Sequence, residues 1–119
     1  MTIEIVPASA ELLRAYYGDR EIPTTYAFVW VEEGTPIAVA GLVRMPENYA
    51  FIYSDSPRHL NHVYAKQGFK TMRRLLTLAD GRGWHVVAQA EEGTEAAPRF
   101  LEHFGFEKQP DGEYIRWAR

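Results

Sequence analysis

Thr94-Glu-Ala-Ala-Pro-Arg-Phe-Leu-Glu-His-Phe-Gly-Phe106 is the most informative stretch of this chain. Apolar side chains recur in it at the i, i+3, i+4, i+7 spacing of one helix face, at Ala97, Phe100, Leu101 and Phe104. Thr94 is a suitable N-cap, and Gly105 supplies the left-handed residue that ends many helices. Pro98 is compatible with a helix only in its opening turn. The pattern therefore predicts a short amphipathic helix with both ends marked.

Strands are predicted on both sides of this helix. Residues 84–90 form an apolar run of strand length that leads into the helix through a short link. Residues 106–108 and 113–119 read as two further strands around a turn at 110–112, where Pro, Asp and Gly follow one another. The closing third of the chain is thus predicted to run strand, helix, hairpin.

The earlier part of the chain continues the same alternation. A strand at 2–6 precedes a helix that Ser9 caps and Gly18 ends, and residues 26–31 and 36–43 form a hairpin followed by a strand at 49–53. The longest helical pattern spans 60–80. Gly68 interrupts it at a cost of about 1 kcal/mol relative to Ala, so we expect the helix to begin near Gly68 and the preceding residues to form a loop.

The order of these elements points to a known family. Ala97-x-Arg99-Phe100-Leu101-Glu102-x-x-Gly105-Phe106, between a strand and a C-terminal hairpin, resembles the closing half of the GNAT superfamily of acyl-CoA-dependent N-acyltransferases. The element order matches that family over nearly the whole chain. The resemblance implies one α/β GNAT-like domain over 1–119, with a mixed central β-sheet of about six or seven strands and three helices. Similar spacing also occurs in small phage-encoded GNAT-like proteins, including virion components.

Composition excludes several classes of site. The absence of cysteine rules out disulfides, thiolate metal sites and a cysteine nucleophile. His59 and His62 have no third ligand nearby in the sequence, so we expect no metal site. The sequence contains neither a membrane-spanning run nor a signal peptide, which predicts a cytoplasmic protein, or a virion protein if it is phage-encoded. A net charge of −3 makes nucleic acid an unlikely partner.

Charge is unevenly distributed along the chain. Between Asp55 and Asp80 there is no acidic residue, and the interval carries five cations, at Arg58, Lys66, Lys70, Arg73 and Arg74. Cations beside a helix N-terminus suit the phosphates of a nucleotide, because the free amides there carry partial positive charge. A solvated helix face is the alternative explanation of the same pattern.

The resemblance implies that this interval binds the pyrophosphate of acetyl-CoA, the co-substrate of the family. Gly68 lies where the family has its phosphate loop, but the usual Arg or Gln, Gly, and Gly or Ala pattern is degenerate in either register: Ala65 and Lys70 fill the other positions in one, Val63 and Lys66 in the other. The predicted phosphate-binding residues are Lys66, Gln67, Gly68, Phe69, Lys70 and Arg73.

In the same family the acyl arm lies between two parallel strands that diverge at their carboxyl ends. The corresponding strands here are 49–54 and 84–90, which predicts that they are adjacent and parallel. Tyr53 and Ser54 on the first, and Gln89 with its neighbours Ala88 and Ala90 on the second, are the predicted walls of that site.

Transfer to an amine needs a base for the amine proton and an acid for the thiolate that leaves. The family often supplies the acid from a tyrosine at the position of Leu101, and leucine cannot donate a proton. Asp55 and Glu91 are the candidate bases, since they are the carboxylates nearest the expected cleft.

Only about 20 residues separate Val6 from Tyr26, where the family commonly has two helices. One helix fits, so the acceptor side is predicted to be open, which suits a protein or peptide amine, or no acceptor at all. The leading hypothesis is an acetyl-CoA-binding N-acetyltransferase that acts on an unidentified amine. The alternative is a non-catalytic GNAT-like protein that binds a partner in an assembly, such as a phage virion.

Overall fold

The computed structural model describes residues 3–18, 26–55, 65–89 and 96–119. Seven strands and three helices lie in these ranges. The strands are β1 (Ile3–Pro7), β2 (Tyr26–Glu32), β3 (Thr35–Met45), β4 (Tyr49–Asp55), β5 (His85–Ala88), β6 (Glu107–Lys108) and β7 (Tyr114–Arg116). The helices are α1 (Ala10–Tyr17), α2 (Ala65–Arg82) and α3 (Ala96–His103). The element order predicted from the sequence is confirmed over these ranges.

All seven strands belong to one mixed sheet, in the order β1-β2-β3-β4-β5-β7-β6. Every neighbouring pair is antiparallel except β4 and β5, which are parallel and are joined in the chain by the segment that contains α2. The prediction that strands near 49–54 and 84–90 are adjacent and parallel is therefore confirmed. A crossover helix is the usual connection between parallel neighbours.

One face of the sheet, called here the helix face, carries the main core. Alternate residues of the central strands point to it, including Leu42 of β3, Ala50 of β4 and Val86 of β5, each 0% exposed. Leu75, Leu76 and Ala79 of α2 and Leu101 of α3 pack on this face from above. Alternate residues of the strands, which share one face of the sheet, and the helically spaced apolar residues of α2 and α3 thus meet in one apolar layer.

The opposite face, called the α1 face, holds the other half of each strand. Val29 and Val39 are buried there, at 0% and 1% exposure, and α1 packs beside them on β3. Ser9 caps α1 by accepting a hydrogen bond from the Leu12 amide, as predicted, and Gly18 ends the helix at φ 72°. None of the α1 side chains is fully buried. Within the described ranges α1 is the helix between β1 and β2.

The C-terminal end of the third helix is the one that its sequence predicts. Pro98 lies in the first turn, and Gly105 takes φ 88° just after the helix. The amide of Phe106 donates to the carbonyl of Leu101, which closes the left-handed end. Thr94, the predicted cap, is outside the described residues.

Helix α2 begins three residues before Gly68, near which the sequence predicts its start. The helix begins at Ala65, so Gly68 lies inside its first turns, without a positive φ, rather than at its start. The cost of one glycine is small compared with the packing of Leu75, Leu76 and Ala79, so tertiary burial outweighs helix propensity here. No helix within the described ranges is both long and apolar enough to span a bilayer.

Candidate functional site

A break in strand pairing forms the centre of the candidate site. β4 and β5 pair from Tyr49 with His85 to Phe51 with Val87, and there the pairing ends. β4 nevertheless continues to Asp55, paired with β3, while β5 ends at Ala88, paired on its other edge with β7 from Val86 to Ala88. Within the described residues, the edge of β4 that faces β5 therefore has no pairing strand beyond Phe51. Such an edge is a template for an extended ligand that carries amides of its own.

The two predicted residues at the end of β4 differ in direction. A Cβ built on Gly41 of β3 would lie 2.9 Å from the Tyr53 hydroxyl, so the Tyr53 side chain leans across β3, away from β5. Ser54 is exposed beside it. On the other strand Ala88 is buried and Gln89 is exposed. Ser54 and Gln89 are thus the solvent-facing members of the predicted walls.

The predicted phosphate-binding residues lie in the first turns and middle of α2. Lys66 and Gln67 belong to the first turn, and a Cβ on Gly68 would meet no atom within 4 Å. Lys70 and Arg73 are exposed on the helix surface. The acid-free basic interval therefore continues along a helix whose N-terminal end comes after β4 in the chain, and partial positive charge at that end adds to the cations.

Phe69 takes a different role from its neighbours, because its ring packs against α3. Its centroid lies 5.1 Å from that of Phe100, 5.3 Å from Phe104 and 5.5 Å from His103. These distances and tilted rings are those of favourable aromatic pairs. Phe69 therefore holds α3 against the N-terminal half of α2.

Of the two predicted bases, Asp55 lies within the described residues and Glu91 does not. Asp55 is the last residue of β4 and pairs in register with Val39. Glu91 and Ala90 lie outside the described residues. Leu101 is 6% exposed and belongs to the core under α3, which leaves that helix without a proton donor at the position where the resemblance implies one. Within the described ranges, no group of three or more candidate ligands is arranged to hold a metal ion.

A cleft of about 450 Å³ lies further along α2, beside the end of α3 and β7. Arg73, Asp80, His103, Arg116 and Arg119 are among its lining residues. Arg116 donates to both carboxylate oxygens of Asp80 and, through Nε, to the carbonyl of Phe104. The hydrogen bond from Arg116 lowers the pKa of Asp80 below its ordinary value. Sequence reasoning missed this pair, because the two residues are 36 positions apart and share no local pattern.

No family model and no curated protein matches the sequence. The structure, in contrast, matches 50 solved chains.

An acetyltransferase of the GNAT family from Staphylococcus aureus Mu50 is similar at a TM-score of 0.67 and 11% identity, over 99% of this chain and 100% of its own. The ribosomal-protein alanine N-acetyltransferase of Escherichia coli reaches 0.62 at 15% identity, over 96% and 89%. N-acetylglutamate synthase from Neisseria gonorrhoeae, solved with coenzyme A and L-arginine, reaches 0.61 at 15% identity, over 98% of this chain and 33% of its own. These similarities show that the chain has the GNAT fold.

Proposed function

We propose that the protein binds acetyl-CoA and transfers its acyl group to an amine. The observation that carries this proposal is the end of β4–β5 pairing at Phe51 and Val87, inside an otherwise continuous sheet. The pantetheine arm of CoA contains two amides, so it can lie along the edge of β4 that β5 leaves unpaired beyond Phe51, as an added strand does.

The phosphates of the same molecule would lie at α2. Its N-terminal amides and the exposed cations Lys70 and Arg73 offer positive charge on the helix that follows β4. A coenzyme A complex of a protein with this fold supports the assignment. The same assignment places Lys66, Gln67 and Gly68 at the pyrophosphate, and Ser54 and Gln89 along the arm.

In the transfer step the amine nitrogen attacks the thioester carbonyl, so a C–N bond forms and the C–S bond breaks. The amine gives up a proton, for which Asp55 and Glu91 are the proposed acceptors, and the thiolate takes one up. Because Leu101 cannot donate, we propose that water protonates the thiolate. General acid–base assistance is worth roughly 100- to 10,000-fold, so turnover without a positioned acid is expected to be slow.

Calorimetric titration with acetyl-CoA tests the binding step. We expect Lys70→Glu to weaken affinity on the order of fivefold, the scale of an exposed charge reversed beside a phosphate, and to reduce the salt dependence. Lys108→Glu is the matched control, because Lys108 is equally exposed but lies on β6. No heat at millimolar acetyl-CoA, or equal losses in both variants, would contradict the proposal.

Thiol release from acetyl-CoA tests the transfer step. The probes are a peptide with a free α-amino group, a lysine peptide with a blocked N-terminus, and spermidine. Asp55→Asn and Glu91→Gln, assayed separately, identify the base by a loss of turnover that leaves acetyl-CoA affinity unchanged.

A non-catalytic partner protein is the second candidate function. Leu101 favours it, because this side chain is 6% exposed in the core and has no hydroxyl that could donate a proton. In this alternative the fold serves an assembly, such as a phage virion, and no probe amine is acetylated. Acetyl-CoA binding without turnover by any of the three probes would support it.

A further inference from the structure

An aromatic stripe crosses the α1 face of the sheet beyond α1. The Trp117 stripe, as it is called here, consists of Met45, Tyr49, His85 and Trp117. Met45 pairs with Tyr49 and Tyr49 with His85 in register, and the His85 and Trp117 rings are 5.3 Å apart. Met45 and Trp117 are the exposed large hydrophobic residues of the described chain, at 38% and 42%. They lie at the two ends of the stripe, and the half-buried Tyr49 and His85 lie between them. A contiguous apolar patch marks an interaction surface more often than scattered apolar residues do.

A second apolar row supports the stripe. Val43, Phe51, Val87 and Ile115 are consecutive register partners across β3, β4, β5 and β7. Three of them are only half-buried, the exception being Val87 at 6% exposure. The two rows cross four adjacent strands, which at ~4.8 Å per strand makes an apolar strip about 14 Å long.

The stripe is fixed before any partner arrives. The amide of Ala118 donates to Nδ1 of His85 at 2.9 Å, and Nε1 of Trp117 donates to the Glu107 carboxylate at 2.8 Å. Tyr49 packs on the other side of His85, with ring centroids 5.0 Å apart. Because these rings are already ordered, a partner loses little additional side-chain entropy by packing on them.

Charge separates the two faces of the sheet. Of the described lysine and arginine side chains, Arg14 of α1 is the one that does not belong to the helix face or its helices. Arg44 lies over Trp84, Arg74 over Phe28 and Arg82 over Tyr26, all on that face. At the stripe, by contrast, Glu107 is bonded to Trp117 and Glu47 lies in the turn between Met45 and Tyr49.

We infer that the Trp117 stripe docks a short amphipathic helix of a partner protein, with apolar residues on one side and lysine or arginine at the margins. A strip of about 14 Å matches roughly ten residues of helix at 1.5 Å rise. The basic margins complement the carboxylates of Glu107 and Glu47, and the same two carboxylates favour a basic partner over a second copy of this acidic chain. A helix at this position would complete the layer that α1 begins on β3.

Intrinsic fluorescence tests the inference with a designed probe. The probe is a 14-residue peptide with leucine at i, i+3, i+4 and i+7 and lysine elsewhere, and its control carries glutamate in place of lysine. Trp30 and Trp84 are buried, at 8% and 5% exposure, so iodide quenching reports mainly on Trp117. We expect the lysine peptide to protect Trp117 from iodide and the glutamate peptide to give no protection.

Matched variants separate docking from general attraction to an acidic protein. Glu107→Gln should lower the affinity for the lysine peptide about threefold to fivefold, the scale of an exposed ion pair. Glu102→Gln on α3 should leave that affinity unchanged. Trp117→Ser, read by calorimetry, should abolish binding, and Trp117→Phe should retain part of it. Acetyl-CoA affinity should be the same in all four variants.

Three results would overturn the inference. Equal losses in Glu107→Gln and Glu102→Gln would mean that the peptide responds only to net charge. Unchanged binding in Trp117→Ser would remove the stripe from the site. A concentration-dependent dimer in sedimentation velocity that Trp117→Ser abolishes would assign the stripe to a second copy of this chain.

Discussion

The guanidinium of Arg116 donates two hydrogen bonds, of 2.8 and 3.1 Å, to the carboxylate of Asp80. Arg116 is on β7 and Asp80 on α2, and the third bond of Arg116 reaches the carbonyl of Phe104 at the end of α3. One side chain thus joins the sheet to both helices that cover its main core. Bidentate pairs of this kind combine energy with geometric specificity.

Replacing Asp80 should lower the free energy of unfolding and make that free energy depend less steeply on pH in acid. The pKa of Asp80 is lowered in the folded state, so the unfolded chain binds its proton first as pH falls. The stabilisation is complete above the ordinary value of 3.8 and is lost as pH falls through the lower folded-state pKa. Asp80→Asn leaves Arg116, 8% exposed, without its counter-charge. We expect the free energy of unfolding to fall by about 2 kcal/mol at pH 7. This is less than the cost of breaking a deeply buried pair, because Asp80 is 27% exposed.

Urea denaturation from pH 2 to pH 7 checks this prediction. Glu102→Gln, an exposed carboxylate on α3, is the control and should keep the wild-type pH profile. An Asp80→Asn protein whose stability falls with acid as steeply as that of the wild type would show that other carboxylates control the transition.

Gly41→Ala should destabilise the sheet by about 1–3 kcal/mol, the usual cost of overpacking. The new Cβ would lie 2.7 Å from the Tyr26 carbonyl oxygen, 2.9 Å from Ala27 Cβ and 2.9 Å from the Tyr53 hydroxyl. Tyr53→Phe in the same protein removes the hydroxyl but leaves the backbone oxygen in place, so we expect only partial recovery. Thermal denaturation of the single and double variants measures this. Full recovery would show that the Tyr53 hydroxyl alone causes the strain.

Gly68→Ala and Gly81→Ala form a matched pair on α2. A Cβ at either position meets no atom within 4 Å, and neither residue has a positive φ, so each substitution should stabilise the helix by about 0.5–1 kcal/mol. Gly68 is in the proposed phosphate site and Gly81 is in the last turn. Acetyl-CoA calorimetry should therefore respond to Gly68→Ala and not to Gly81→Ala. An equal change in acetyl-CoA affinity in both variants would show that Gly68 does not lie beside the phosphates.

Leu101→Tyr should lower the free energy of unfolding and increase the rate of acyl transfer. The added hydroxyl enters a core position of 6% exposure, at an expected cost of about 1–3 kcal/mol from overpacking and an unpaired polar group. If the hydroxyl reaches the thiolate, thiol release rises while acetyl-CoA affinity stays the same. Leu101→Met is the control, because its similar volume should cost less than about 1.5 kcal/mol and add no donor. Equal turnover in both variants would show that this position does not face the reaction.

The sequence predicted most of the fold because its signals were local. Ser9, Gly18 and Gly105 mark helix ends through their own backbone geometry, and two runs rich in β-branched and aromatic residues, 26–31 and 36–43, mark the hairpin. The parallel pairing of β4 and β5 came from resemblance to a family rather than from periodicity. Gly68 misled the prediction of the start of α2, since propensity is a weak signal where a helix has a long apolar face.

The candidate site was less predictable because its geometry depends on distant residues. The direction of Tyr53 follows from the missing side chain of Gly41 on the next strand, and the packing of Phe69 follows from Phe100 and Phe104 on α3. No local pattern reports such contacts. The basic interval was visible because charge, unlike contact, can be read directly along the chain.

Because α1 packs only weakly on β3, we expect it to unfold locally before the sheet does. Eight residues are too few for a helix to be stable by itself, and none of the α1 side chains is fully buried, so little free energy holds the helix on β3. Its amides should exchange with solvent deuterium through local opening, while those of β3, bonded to strands on both sides, exchange only when the sheet unfolds. Limited proteolysis under native conditions is then expected to cut first near α1 and to leave the centre of the sheet intact.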